Sequence, residues 1–327
     1  MNKKLVSVII PVKEKNEYLE QVLTDLDRQS YQRVEVLVET GGKSASEARN
    51  IGLKKACGEY VIFADGDDRI EPDYVASLVT ALESAPDIIM AGCGYDIVNA
   101  SDGSVEKTSS FEPEFFLRED MLARLFDTKV YQGYVWNKIF RRKLINQYDL
   151  GFADDVRYNE DRLFIFNYLL MNRGRVAFTN DICYHYQLRS DSVMGAVRQQ
   201  GVVTDAMTTE FLAFSMMRVQ LEMALLPGMS GNRQLIDPVR AGQILSELRQ
   251  DEIQSQLRLF KKMVGPKDIF KYKKSPMRRY ARECPAGLYI PRAPMEDVLL
   301  KIYKRYALTG CTYTSHPEYF EGVGYLG

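Results

Sequence analysis

The sequence predicts an α/β fold: a mostly parallel sheet flanked by helices, followed by a helical C-terminal region. Three observations predict it. Short apolar runs lack the polar alternation of a half-exposed strand, which marks strands covered on both faces. Segments with apolar residues at helical spacing separate them. A cluster of acids, DGDD at 65–68, follows directly on one such run, YVIFA at 60–64. In sheets of this kind ligands bind beyond the carboxyl ends of the strands.

The elements follow in order. LVSVIIPV (5–12) is the first strand, and EYLEQVLTDLDRQ places Leu19, Val22, Leu23 and Leu26 on one helical face. VEVLV (34–38) is a second strand. SASEARNIGLKKA is a second helix, in which Ser44 with Glu47 three residues on forms a capping-box pattern. YVIFA is a third strand, β-branched and aromatic. EPDYVASLVTALESA is a helix opened by Pro72, and DIIMAGCGYDIV a fourth strand. Strand–helix alternation repeated in this way implies the layered sheet. After about residue 100 the rhythm changes, with helical segments near 118–127 and 134–147 and a mainly helical pattern from 201. The expected organisation is therefore 1–100 and 101–200 as two halves of one domain, and 201–327 as a helical region.

Bulk numbers exclude some classes of function. The 327 residues carry 43 basic and 44 acidic side chains, and this balance argues against a dedicated nucleic-acid binder. Five cysteines without CxxC spacing suggest reduced thiols in a cytoplasmic protein. The apolar run LVSVII is too short for a signal peptide and ends at Pro11 and Lys13. No window reaches the roughly 18 apolar residues of a membrane span. The expectation is a soluble protein, or one seated on a membrane surface.

The acids of DGDD have two readings. Asp and Gly form turns, and acids suit the start of the following helix. That accounts for Glu71, Asp73 and Asp68, but less well for Asp65, which leaves a buried strand and needs a positive partner. A divalent cation holding a diphosphate supplies one, because hard oxygen ligands bind Mg²⁺ or Mn²⁺.

The surrounding residues resemble a known family. SVIIPV, then Arg49, Asn50, Gly52, Ala56, Gly58, Glu59 and Tyr60 leading into Asp65 and Asp67, resemble the nucleotide-binding half of GT-A glycosyltransferases of the family 2 type. WNKIFRRKLI (136–145) is similar to that family's Trp-Asn-Lys segment, YNEDRLFIFNYLL to its Glu-Asp segment, and CYHYQLRSDSVM (183–194) to its Tyr-x-Tyr-x-x-Arg-x-x-Ser stretch. The four motifs stand in the family's order over roughly 190 residues. The resemblance implies a GT-A-like, Rossmann-related fold. It also implies a metal-dependent, inverting transfer from a nucleoside-diphosphate sugar, UDP-linked by expectation, to a glycan or lipid-linked glycan of a bacterial surface polysaccharide.

It further implies roles for single residues. Asp65 and Asp67 would hold the divalent metal, Mn or Mg. Asp161, with Glu160 beside it, would be the general base, although acids at a helix N-terminus are favourable without any such role. Pro11, Glu39, Arg49, Asn50 and Asp65 fall on the donor side. His185 and Arg189 suit a diphosphate or metal, while a histidine between two tyrosines is as often only packed. Trp136 is read either as a platform for an acceptor sugar or as core. Lys138 is read as a phosphate contact or, with more weight, as structural.

The family pattern breaks after the second strand. Members continue with Asp-Asp-Gly-Ser and a further helix and strand, whereas this chain has LVETGGKSASEARN, shorter by about 20 residues. Glu39 is the candidate substitute for the lost acid. GGKS is not a P-loop, since position 37 is leucine where glycine is needed. From Arg258 to Arg282 ten Lys or Arg stand against one acid, with Phe260, Ile269, Phe270, Tyr272 and Tyr280 between them. That composition suits an anionic membrane surface at the inner face, or equally a solvated helix face. Two alternatives stay open: a non-catalytic glycosyltransferase-like binding or assembly protein, supported by the lost acids, and a metal-dependent nucleotidyltransferase.

Overall fold

The computed structural model describes residues 3–126 except Lys15, 131–189, 209–225, 235–252, 254 and 255. The basic stretch at 258–282 and most of the expected C-terminal region lie outside the described residues.

The first half alternates as the sequence predicts: β1 (Val6–Pro11), α1 (Glu17–Asp27), β2 (Val34–Glu39), α2 (Ala45–Lys55), β3 (Tyr60–Phe63), a short β4 (Arg69–Ile70), α3 (Tyr74–Glu83) and β5 (Ile88–Asn99). The second half adds β6 (Val105–Ser109), β7 (Glu114–Leu117), α4 (Arg118–Arg124), β8 (Lys138–Arg141), α5 (Arg142–Gln147), α6 (Glu160–Met171), β9 (Arg175–Leu188) and α7 (Glu210–Leu225). All strands join one sheet with the order β2-β1-β3-β8-β5-β9-β4, to which β6 adds on β5 and β7 on β9. Along that order β2, β1, β3, β5 and β9 run one way; β8, antiparallel to both β3 and β5, and β4, antiparallel to β9, run the other. The sheet is thus mixed rather than mostly parallel: β1 with β2, β1 with β3 and β5 with β9 pair in parallel, while β8, delivered into the centre by the second half of the chain, and β4, β6 and β7 pair antiparallel.

Local sequence explains the element ends. Asn16 caps α1, its side chain accepting from the Leu19 amide at 3.1 Å. Ser44 caps α2 by accepting from the Glu47 amide at 3.2 Å, while the Glu47 carboxylate reaches back to the Lys43 amide at 2.7 Å. This is the expected box, closed one residue earlier than the standard pattern. Pro72 lies in the turn before α3 rather than inside its first turn. Gly52 lets α2 lie directly on β1, because a Cβ there would come within 2.4 Å of Ile9 Cγ2.

β2 is the edge of the sheet, and Val36 on it is exposed. The chain goes from β2 straight through α2 into β3, so the shortening read in the sequence appears as an edge with no further strand among the described residues. At the other end of the core, β3 finishes on Phe63, which is fully buried and makes edge-on contacts with Phe140, Phe152 and Phe164 at centroid distances of 6.0, 5.1 and 5.6 Å. Burying such a ring is worth about 1.5–3 kcal/mol. It also fixes where the chain emerges, two residues before Asp65. Behind that turn, buried Asp25 of α1 accepts from Arg69 Nε at 2.7 Å, Arg69 Nη2 at 3.0 Å and the Ile70 amide at 3.2 Å, so the acidic loop is tied down at both ends.

Candidate active site

The loop after β3, the first turn of α6 and the middle of α2 meet at one arginine. Arg49, buried on α2, directs Nη2 to Asp65 Oδ1 at 3.0 Å and Nη1 to Asp161 Oδ1 at 2.7 Å and Glu160 Oε1 at 3.2 Å. Its guanidinium also lies 5.2 Å from the centre of the Phe152 ring. Carboxylates separated by about 95 residues in sequence therefore line one site. Burial alone would lower the Arg49 pKa, but Asp161, Asp65 and Glu160 outweigh it and hold the guanidinium charged.

Glu160 and Asp161 open α6, preceded by Asn159 in the left-handed region at φ 66°. Asn159 is a residue type that tolerates this conformation. The second oxygen of Asp161 accepts from the Val135 amide at 3.4 Å. Burial pushes the Asp161 carboxyl up to about 7; Arg49 opposes the rise, Glu160 and Asp65 add to it, and the Val135 amide opposes it. A carboxylate poised near neutrality is suited to accept a proton.

Asp65, Asp67 and Asp68 diverge. The Asp65 side chain keeps 27% exposure and meets Arg49 through Oδ1 only, while its amide donates to Tyr184 Oη at 3.0 Å. Asp67 is 42% exposed and pairs with Arg189 Nη1 at 3.0 Å. Asp68 is buried: it accepts from Tyr184 Oη at 2.6 Å and from the Gln187 amide at 2.8 Å. Burial drives the Asp68 carboxyl well above the usual range, with Asp65 and Asp67 adding to the effect. Among the described residues no group of three or more His, Cys, Asp or Glu side chains is arranged to hold a metal. Two solvent-reachable carboxylates nevertheless suit a hard cation that completes its shell with water and phosphate oxygens, as Mg²⁺ commonly does. The donor set of Asp65 and Asp67 fits such an ion.

Other expected contacts are placed differently. Trp136 is core: it is 3% exposed and stacks on Tyr134 and Tyr184 at 4.7 and 4.5 Å, so it offers no face to an acceptor sugar. Lys138 is 1% exposed, and its ammonium donates to Gln132 O, Tyr134 O and Asn137 Oδ1 at 3.2, 2.6 and 2.7 Å. It cannot reach a phosphate from there. His185 alternates away from Tyr184 on β9 and turns to Glu71 at 2.8 Å and Asp96 at 3.4 Å, carboxylates other than those of Asp65 and Asp67. Asn50 acts on the chain itself, donating to Phe152 O and accepting from the Phe152 amide, both at 2.8 Å. Glu39, at the end of β2 beside Pro11 of β1, is buried against Lys55 at 2.7 Å. Arg189 remains in the site, its guanidinium 3.8 Å from the centre of the Tyr18 ring and paired with Asp67.

Sequence reading missed Tyr184, Asp68 as a buried acceptor, and Tyr18. The one available signal was the Tyr-x-Tyr pattern, whose first tyrosine is the residue that ties Asp65 to Asp68.

Residues 31–149 match the model of glycosyl transferase family 2. Among curated proteins, the chain is 25% identical over 222 residues to the protein named "Putative glycosyltransferase EpsH" of Bacillus subtilis (strain 168), covering 58% of this chain and 62% of EpsH. It is 22% identical over 216 residues to the poly(ribitol-phosphate) beta-N-acetylglucosaminyltransferase TarS of Staphylococcus aureus (strain Mu50 / ATCC 700699), covering 57% of this chain and 36% of TarS. The chain thus spans between about a third and two thirds of these relatives. In structure it superposes on S. aureus TarS 1-349 in complex with UDP-GlcNAc with a TM-score of 0.57 at 19% identity, covering 76% of this chain and 73% of that one. The sheet, the flanking helices and the family match lead to one conclusion: the chain adopts a GT-A-like fold, and its residues 31–149 are similar to glycosyl transferase family 2.

Proposed function

We propose that the protein is a metal-dependent, inverting glycosyltransferase that moves a sugar from a nucleoside-diphosphate donor to a hydroxyl of a glycan or lipid-linked glycan. The observation that carries this reading is Arg49, which joins the strand-end acid Asp65 to the helix-start acids Glu160 and Asp161 within one site. A UDP-sugar is the favoured donor; the TarS complex with UDP-GlcNAc supports that choice.

Asp161 accepts the proton of the acceptor hydroxyl. The oxygen so freed bonds to the anomeric carbon from the face opposite the leaving group, the bond from that carbon to the diphosphate oxygen breaks, and the nucleoside diphosphate departs. Asp65 and Asp67 would hold the divalent cation, which supplies positive charge to the leaving diphosphate. Arg189, already beside Asp67, adds a fixed positive charge on the same side. Arg49 and the α6 N-terminus hold Asp161 ionised often enough to act near neutral pH.

The test separates binding from chemistry. Asp161→Asn is expected to bind a UDP-sugar as the wild type does while transfer, followed as free UDP formed with acceptor present, falls by about 10²–10⁴-fold. Transfer close to the wild-type rate would place the base elsewhere. Release of pyrophosphate in place of nucleoside diphosphate would identify a nucleotidyltransferase.

A further inference from the structure

The buried lysine of the Trp-Asn-Lys segment forms no salt bridge with a carboxylate among the described residues, yet it sits where the second half of the chain enters the sheet. Its ammonium gathers the carbonyls of Gln132 and Tyr134 and the side-chain oxygen of Asn137. The same short loop is fastened from outside. Asn137 exchanges two bonds with Cys93 of β5, Nδ2 to Cys93 O at 2.8 Å and Cys93 N to Asn137 O at 3.0 Å. Tyr74 Oη of α3 donates to Trp136 O at 2.5 Å, and the Lys138 amide closes a turn on Val135 O at 3.1 Å. On its far side the loop presses on the first turn of α6: a Cβ at Gly133 would fall 2.5 Å from Arg162 Cβ, next to Asp161. The amide this loop points at α6 is that of Val135, and it meets Asp161 Oδ2.

We propose that Lys138 is a positioning residue for the base: it holds the 132–137 loop so that the Val135 amide orients and ionises Asp161. This rests on the assignment of Asp161 as base. The physical case is one of cost. A fully buried ammonium loses its hydration, and this pushes Lys138 down to about 7 even though Cys93 and Asp161 act in the opposite direction. An apolar residue would fill that volume without the penalty, so the lysine is accounted for by what its three donors arrange. Asp161 meets Arg49 from α2, Asp65 after β3 and Glu160 on its own helix, with Tyr134 and Lys138 on the loop side. Arg49 supplies its charge balance. Only the loop reaches its second oxygen with a hydrogen-bond donor among the described contacts.

The experiment compares Lys138→Met with Asp161→Asn in the full chain. For Lys138→Met, calorimetric titration with UDP-GlcNAc and Mn²⁺ is expected to give a dissociation constant within about twofold of wild type. Its kcat is expected to fall about ten- to hundredfold, and the acid limb of kcat against pH to move to higher pH, since Asp161 loses the amide that favours its ionised form. A loss of stability alone would lower the active fraction without moving that limb. A wild-type kcat and limb in Lys138→Met, with Asp161→Asn collapsed, refutes the positioning role and leaves the base assignment standing. Wild-type transfer in Asp161→Asn refutes both. If Lys138→Met does not fold by circular dichroism, Lys138→Gln, which keeps a donor at shorter reach, is read in the same way; failure of both to fold would assign Lys138 to stability alone and overturn the proposal.

Discussion

Replacing Arg49 by methionine is the perturbation that bears most directly on how the site is held. The substitution keeps the length of the side chain and its packing on Phe152 while removing one cation from between Asp65, Glu160 and Asp161. Removing one partner from a fully buried ion pair typically costs 3–5 kcal/mol. Here the arginine side chain is 4% exposed but its partners keep 27%, 17% and 16%, so water screens part of the loss and the lower end applies, about 3 kcal/mol. That is roughly a hundredfold in the folding equilibrium. The cost depends on pH with a definite sign. Burial already raises the folded-state pKa of Asp161 above its unfolded value, and Arg49 opposes that rise; without Arg49 the folded variant binds more protons at this group and gains stability as pH falls from 7 towards 5. Urea denaturation at pH 7.5 and pH 5.5 measures both quantities. The variant is expected to lose about 3 kcal/mol at the higher pH and distinctly less at the lower. In a double-mutant cycle, Asp161→Asn is expected to recover part of the loss, with a coupling of about 1–2 kcal/mol. A loss under about 1 kcal/mol at pH 7.5, or one unaffected by pH, would mean that Arg49 does not neutralise this cluster.

Further outcomes follow from the same geometry. Because burial and its acidic neighbours push Asp161 up to about 7, kcat/KM is expected to rise with pH through that region and to level above it; a profile flat from pH 5.5 to 8 would rule out Asp161 as the titrating base. Trp136→Ala is expected to cost about 3–5 kcal/mol, as for other buried aromatics, with the folded fraction binding donor normally. Since Trp136 is the sole tryptophan, its emission in the wild type reports unfolding of this loop directly. A stable Trp136→Ala protein with selectively lost acceptor binding would restore the stacking role that its burial argues against.

The sequence carried the first half of the fold because that half is built from local patterns. Apolar runs such as SVII and YVIF become strands buried on both faces, and the helices between them carry their own caps. What local patterns do not show is β8, a four-residue strand that the chain inserts between β3 and β5 in the opposite direction. Its sequence, KIFR, sits in a stretch whose periodicity also suits a helix, and only pairing with distant strands decides. The site divides in the same way. Asp65, Asp67, Glu160, Asp161 and Arg49 were legible because their motifs are contiguous. Trp136 and Lys138 each carried a substrate reading and a structural one, because a lone tryptophan and a lysine near it look like recognition elements until burial is known; their burial favours the structural reading of both. His185 faces away from the acids because strand alternation sends Tyr184 inward in its place. The Arg49 bridge itself joins residues more than 100 positions apart, and no spacing rule could have revealed it.

The central claim is that the acids after β3 hold a cation against the diphosphate of a donor. Calorimetric titration of UDP-GlcNAc into the wild-type protein and Asp67→Ala, each with Mn²⁺ and with chelator, tests it most directly. The account predicts binding to the wild type that needs the metal and is lost in Asp67→Ala. Equal binding with chelator present, or no binding of UDP-, GDP- or CDP-sugars under any of these conditions, would contradict it and favour a non-catalytic role for the domain.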